Sequence, residues 1–261
     1  WLCDQHPELV DDVEFELNEG GSGSTEFQGT DREVYAIATN EKQVCWMRLT
    51  AIGVPGHGSV AHAADDNSAV ILSRALQRLA DWERPLVFVP ETKAWLKRLS
   101  AEGLLPGPED RPALEAMVAA SPALRAMFTN TLNVTMVEAG IKANVIPGRS
   151  SAVIDCRLLP GESREDWRRA VIDRVGDERV VVDFHEEVQD EVEPVPVPWD
   201  TELYRVIEQV ILDANEDAIV VPSMTVGGTD NRFLRARGIP AYGFAPCVLS
   251  KEERAGFHGN D

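Results

Sequence analysis

From Val44 to Ile52 apolar and polar residues alternate, with Met47, Leu49 and Ala51 on one face, and that period predicts a strand. Asp66 and Asn67 are good N-caps for a helix whose apolar positions are Ile71, Leu72, Ala75, Leu76 and Leu79. Residues 133–138 form a short β-branched run, and Ala152, Ile154, Cys156 and Leu158 alternate as a further strand. Ser163 with Asp166 approximates a capping box, and Trp167, Ala170, Val171 and Val175 follow at helical spacing. Val180 to Phe184 closes the unit as a strand. The order βαββαβ predicts a ferredoxin-like antiparallel sheet with two helices on one face, spanning residues 43–188. Within it, Pro85 to Phe128 is an interruption rich in Pro, Leu and Ala, with short helices predicted around Trp95-Leu96 and over Ala113 to Ala119.

The flanks follow a different pattern. Residues 1–42 carry Val13, Phe15 and Leu17 and then a Gly/Ser/Thr loop. The stretch 193–198, with three prolines, cannot enter a central strand. It leads to a helix capped by Asp200, with Leu203, Val206, Ile207, Val210 and Ile211 inward. A strand at 218–221, a Gly turn, a short helix and a strand at 239–244 complete the chain. Helix and strand alternating in this way predict an α/β sheet. The expected fold class is therefore α/β: a discontinuous α/β domain in two pieces, 1–42 and 189–261, interrupted by the unit at 43–188.

Charge narrows the partners. Acids outnumber bases 44 to 25, for a net charge of −19. No basic stripe is available to displace phosphate counterions, so no nucleic-acid partner is expected. The same balance argues against an anionic membrane surface, and no apolar run reaches transmembrane length. Cys3, Cys45, Cys156 and Cys247 are far apart and form no C-x-x-C pair, so neither a zinc knuckle nor a redox motif is indicated. Scattered thiols suit a reducing compartment, and a cytoplasmic location is expected.

A few side chains stand out as candidate chemistry. Glu19 lies between Asn18 and two glycines, at a strand end where α/β enzymes place functional groups; the plainer reading is a solvated acid. His57, flanked by Gly56 and Gly58, can donate to a developing oxyanion or simply pack in a turn. Thr229 follows Gly227-Gly228 at a helix start, where a hydroxyl and free N–H groups suit an anionic oxygen or a cap. Arg157 lies on the face opposite Ile154 and Cys156, and it and Asn144 are expected at the ends of adjacent strands. The guanidinium can clamp a carboxylate bidentately or form a surface ion pair. His258, in Phe-His-Gly-Asn-Asp, has neighbours that suit a divalent metal.

Six segments in this order are Leu17 to Gly21, Gly53 to Ser59, Asn144 to Pro147, Asp155 to Gly161, Gly227 to Asp230 and Phe257 to Asp261. Around a βαββαβ insert, they resemble the dizinc aminoacylase/carboxypeptidase family. That family includes aminoacylase, acetylornithine deacetylase, succinyl-diaminopimelate desuccinylase, glutamate carboxypeptidase and carboxypeptidase S. The 85–128 interruption leans toward carboxypeptidase S-like members. The resemblance implies two divalent metal ions, zinc by preference, with Glu19 a ligand of one and His258 of the other. It implies that His57 stabilises the tetrahedral oxyanion, in several members across a dimer interface. Asn144, Arg157 and Thr229 would line the substrate pocket and hold a carboxylate. The inserted unit would be a lid or dimerisation domain, and the substrate a dipeptide or an N-acyl amino acid.

The departures from the family matter too. Its upstream His-x-Asp and Glu-Glu pair do not precede Glu19 here, so the expected ligand set is incomplete and both catalytic pieces are expected to be truncated. The parent protein is read as a metal-dependent amide or peptide hydrolase, and this chain alone as inactive. The alternative is a non-catalytic dimerisation or ligand-binding module that keeps the fold. A hydrolase using Ser59 as nucleophile is disfavoured, because Gly-His-Gly-Ser lacks the G-x-S-x-G elbow.

Overall fold

Two sheets, each with its own alternation of buried and exposed positions, organise the chain. The computed structural model describes residues 2–60, 62–188, 192–250 and 252–253. In chain order the elements are α1 (Leu2–Gln5), β1 (Glu16–Ser24), β2 (Val34–Glu41), β3 (Gln43–Val44), β4 (Met47–Ile52), β5 (Gly56–His57) and α2 (Ser68–Ala80). Then come α3 (Pro90–Ala101), α4 (Arg111–Ala119), α5 (Pro122–Phe128), β6 (Thr131–Ala139), β7 (Val145–Ile146), β8 (Arg149–Leu158) and α6 (Arg164–Val175). The last are β9 (Val180–Phe184), α7 (Glu202–Ala214), β10 (Ile219–Thr225), α8 (Asn231–Arg235) and β11 (Ala241–Leu249).

One compact unit comprises Val44–Pro85 and Thr129–Glu191. Its antiparallel strands run in the order β6-β8-β4-β9, with β3 also joined to β8. This is the βαββαβ arrangement with α2 and α6 as its helices. The period-2 pattern decides the core. Met47, Leu49 and Ala51 face Ile154, Cys156, Val180 and Val182 in one cluster with Ile71, Leu72, Ala75 and Leu79 of α2 and Trp167, Val171 and Val175 of α6. Each fully buried aliphatic side chain contributes roughly 1.5–3 kcal/mol. Both helices start where a side chain satisfies an orphan N–H: Asn67 accepts from Ala69, and Ser163 from Asp166. The short ribbon β5–β7 pairs Gly56 with Ile146 and His57 with Val145, outside the main sheet.

The other unit comprises Trp1–Gln43, Leu86–Phe128 and Val192–Asp261. Its mixed sheet has the order β1-β11-β2-β10, with β1 parallel to β11 and β10 parallel to β2. Both faces are covered. Val34, Ile219 and Val221 pack with Trp95, Leu96, Leu99, Leu114, Val118 and Phe128, while Ile37, Val220 and Tyr242 pack with Tyr204, Ile207 and Ile211. The interruption at 85–128 therefore groups with the mixed sheet, and not with the unit that surrounds it in sequence. Its apolar helix faces are what cover β2 and β10.

Other expectations shift as well. Residues 18–21 lie inside β1 and not in a loop, because glycine lets neighbouring backbones come close. A Cβ on Gly21 would stand 1.9 Å from the Ala36 carbonyl oxygen, and one on Gly20 2.7 Å from the Gly243 Cα. Helix α7 is capped by the Thr201 hydroxyl, which accepts from Tyr204 N, and not by Asp200. Val206 and Val210 point outward, since Tyr204, Ile207 and Ile211 supply the buried stripe. The last strand runs on through Pro246 to Leu249, with its register against β1 shifting between Ser22 and Gly23.

Candidate active site

In the mixed-sheet unit, β1 bulges between Asn18 and Gly21, and the Asn18 Oδ1 accepts from Glu19 N at 2.8 Å. The Glu19 side chain is exposed on that bulge. Its carbonyl oxygen lies 3.5 Å from Asn231 Nδ2, which brings the β1 segment beside the start of α8. Thr229, just ahead of that helix, is 4% exposed. Its N–H donates to Glu41 Oε1 at 2.9 Å and its hydroxyl to Glu41 Oε2 at 2.6 Å, while Asn231 N donates to the Thr229 hydroxyl at 3.3 Å.

Glu41, at the C-terminal end of β2, is a buried carboxylate that the sequence reading missed. Arg235 Nη1 lies 3.3 Å from its Oε2, with both side chains 1% exposed, and Arg232 Nη1 lies 3.8 Å from Oε1. Arg235 also donates to the Ala241 and Ala38 carbonyls, so one guanidinium joins β11, β2 and Glu41. Burial pulls the Arg235 pKa below its usual value, opposed chiefly by Glu41. Burial also raises the Glu16 carboxyl above its usual range; Arg235 opposes that rise, and Asp230 and Glu41 add to it. The polar run Thr39-Asn40-Glu41-Lys42 reads in sequence as a solvated strand end. Its only hint is position, directly after the apolar Ala36-Ile37-Ala38.

In the ferredoxin-like unit, the ribbon presents His57. Its Nδ1 lies 2.7 Å from Ser59 Oγ and 3.3 Å from Ser59 N. A backbone N–H aimed at Nδ1 leaves Nε2 as the protonated nitrogen of the neutral ring. Asn144 Nδ2 stands 3.3 Å from Nε2, and the amide can rotate to offer its oxygen instead. The structure thus brings His57 and Asn144 together, exposed to solvent, with Ser59 as a holder of the ring that sequence reading cast only as a rejected nucleophile. An Nε2–H held in this way suits donation to an oxyanion.

Arg157 is placed elsewhere. It lies near the far end of β8, opposite Thr131, whereas the turn after Asn144 leads into the start of β8 beside Ile52. Arg149 to Arg157 is roughly 26 Å of extended strand at ~3.3 Å per residue. The expected placement of Asn144 and Arg157 together at neighbouring strand ends is therefore corrected: the two lie at opposite ends of β8. Arg157 grips Asp155 bidentately at 2.7 and 3.0 Å and lies 5.7 Å from the Trp46 ring centre. Asp155 was legible through its i, i+2 spacing, which puts both side chains on one strand face.

His258 lies outside the described residues. Among the described residues no three His, Cys, Asp or Glu side chains lie close enough to hold a metal ion. No helix among them is long and apolar enough to cross a membrane.

Residues 39–182 match the model of the peptidase dimerisation domain. The chain is 31% identical over 243 residues to the N-fatty-acyl-amino acid synthase/hydrolase PM20D1 of Xenopus tropicalis, covering 89% of this chain and 46% of that protein. It is 26% identical over 243 residues to the probable carboxypeptidase S-like 2 of Dictyostelium discoideum, covering 90% of this chain and 46% of that one. The chain thus spans about half the length of the curated relatives it matches. Among solved structures, the di-peptidase Dug1p of Saccharomyces cerevisiae shares the fold with a TM-score of 0.56 at 11% identity, over 90% of this chain and 50% of that chain. With the dimerisation-domain model covering more than half of its length, this chain belongs to the M20 family of metallopeptidases and aminoacylases.

Proposed function

We propose that the whole protein hydrolyses peptide or N-acyl amide bonds of dipeptides or N-acyl amino acids, with the help of two divalent metal ions, zinc by preference. Glu19 and His258 are the proposed ligands in this chain, and the rest of the set would come from beyond the residues described. A metal there would supply Lewis-acid polarisation and an activated water. The chain's own residues then have three tasks. His57, steadied by Ser59 and Asn144, donates from Nε2 to the amide oxygen as it gains charge. Arg157 exchanges Asp155 for a substrate carboxylate in the bidentate geometry it already adopts. The Gly227-Gly228-Thr229 loop borders the substrate. A cytoplasmic location is proposed on the thiol argument, since Cys3, Cys45, Cys156 and Cys247 are far apart in sequence and form no C-x-x-C pair.

The observation that carries this reading is the His57–Asn144 pair together with its distance along β8 from Arg157. One small substrate cannot reach both ends of a ten-residue strand. We therefore read the unit as a homodimer module in which one copy lends His57 and Asn144 to a substrate held by the other copy's Arg157. Of the two outer strands, β6 is the bare one, with Val134, Met136 and Val137 exposed, whereas Arg168 already donates to the Val182 carbonyl of β9.

Subunit complementation in the whole protein tests the proposal. His57→Ala and Arg157→Ala are each expected to lower turnover of an N-acyl amino acid by about 10²–10³. Unfolded and refolded as an equimolar mixture, they should recover about a quarter of wild-type activity, because half the dimers then carry one intact site of two. No recovery on mixing would defeat the shared-site reading, and a wild-type protein that cleaves neither N-acyl amino acids nor dipeptides would defeat the hydrolase reading.

A further inference from the structure

We infer that Glu41 is a positioning residue whose buried carboxylate sets the Gly227-Gly228-Thr229 loop against the substrate; this rests on the hydrolase reading above. Thr229 is a natural candidate to donate to a substrate oxygen, but its donors are already committed. Its one hydroxyl proton and its N–H both go to Glu41, at 2.6 and 2.9 Å, and the hydroxyl oxygen receives Asn231 N at 3.3 Å. Burial allows no second approach. What remains open is the backbone ahead of it. Gly227 and Gly228 are half-buried, and a Cβ built on Gly227 would meet nothing within 4 Å. A ligand therefore meets the loop at the glycines, while Thr229 serves as the peg that Glu41 holds.

The geometry around Glu41 suits a fixed anchor. A carboxylate removed from water persists only with charge and hydrogen bonds on both oxygens, and Glu41 has them: Thr229 N–H on Oε1, the Thr229 hydroxyl and Arg235 on Oε2, and Arg232 nearby. Its neighbours along the chain, Asn40 and Lys42, make further ties. Asn40 Nδ2 donates to Glu91 Oε1 of α3 at 3.0 Å, and Lys42 Nζ to the Ala126 carbonyl of α5 at 3.1 Å. Three consecutive buried polar side chains thus tie the end of β2 to α3, to α5 and to the loop. At the start of α8, Asn231 reaches the Glu19 carbonyl, so the same anchor also bears on the β1 bulge.

The test uses the whole protein, with N-acetylleucine and alanyl-leucine as probes and with amide hydrogen exchange read over Gly227–Thr229. Glu41→Gln, which keeps the shape and loses the charge, should lower kcat/KM by about 10- to 100-fold, the scale of a misplaced binding element, at an unchanged metal content. The Thr229 amide should exchange at least about tenfold faster, while amides of β4 and β8 keep their protection. Thr229→Val should lose about as much as Glu41→Gln, the double variant no more than either, and Thr229→Ser clearly less than Thr229→Val. Additive losses, or unchanged exchange at Thr229 in Glu41→Gln, would overturn the anchor. Should Glu41→Gln fail to fold, the Val and Ser variants at 229 decide by the same exchange measurement. A wild-type protein inactive on both probes sinks the hydrolase reading alone, since exchange reads the anchor without turnover.

Discussion

The two units hold their candidate groups in opposite ways. In the mixed-sheet unit, Thr229 and Glu41 sit below the surface in a network where both Glu41 oxygens and both Thr229 donors have partners. In the ferredoxin-like unit, His57 and Asn144 stand in solvent on a ribbon of two residue pairs, joined to each other by one long contact and to Ser59 by a turn. The first arrangement is preorganised at a cost in buried charge. The second invests little, since both side chains stay in water. One unit thus holds its candidate groups in a fixed network, and the other leaves its candidate groups free to adjust.

The strongest way to break this contrast is to remove one member from each side. Arg235→Ala leaves the Glu41 carboxylate buried without its closest cation, and a loss of about 3–5 kcal/mol in unfolding free energy is expected. Asn144→Ala, at an exposed site, should stay within about 0.5 kcal/mol of wild type. Urea unfolding of the chain measures both. Similar losses at the two positions would erase the distinction between anchored and free groups.

A smaller effect sharpens it through glycine. Gly21→Ala would drive a methyl into the Ala36 carbonyl at 1.9 Å, and about 3 kcal/mol of destabilisation is expected from that overpacking. Gly58→Ala meets nothing nearer than the Asn144 carbonyl oxygen at 3.4 Å, an ordinary contact, and should be nearly neutral. Both glycines lie within two residues of a candidate side chain, yet only one is demanded by packing. Equal tolerance in thermal unfolding would show that β1 can shift away from β2.

That pair also marks what the sequence could convey. The period-2 and period-3.6 patterns gave the ferredoxin-like unit almost whole, because Met47, Leu49, Ala51 and Ile71 are buried by one local rule. The glycines after Glu19 read as a loop, because sequence alone does not say that Ala36 and Gly243 press against them. Glu41 was illegible for a related reason: an acid next to a lysine at a strand end normally lies in water, and its partners are more than 185 residues away in the chain. His57 and Asn144 were each legible as motif residues, and their meeting required the β5–β7 pairing. The 85–128 segment could be read as helices but not assigned to a sheet, since its apolar faces fit either unit equally well on pattern alone.

The smallest expected effect sets the two units apart by the sign of their pH dependence. Glu16, beside the Arg235–Glu41 pair, has its pKa raised above 4.5, first by burial. Unfolding lowers that pKa, so the folded state is favoured while Glu16 is protonated, and this contribution fades as pH rises from 4.5 through the higher folded value. Asp177, in the other unit, is held down to about 2 from 3.8, first by its hydrogen bonds from Arg179. Its contribution is present above 3.8 and fades as pH falls toward 2. In urea midpoints taken across this range, Glu16→Gln should flatten the decline just above pH 4.5, and Asp177→Asn should flatten the rise between about 2 and 3.8. The Glu16 substitution tests the anchored network with the least disturbance, because it leaves every hydrogen bond of Glu41 in place. A midpoint that climbs through pH 4.5 in wild type and is unaffected by Glu16→Gln would mean that the carboxylate beside Arg235 is solvated after all.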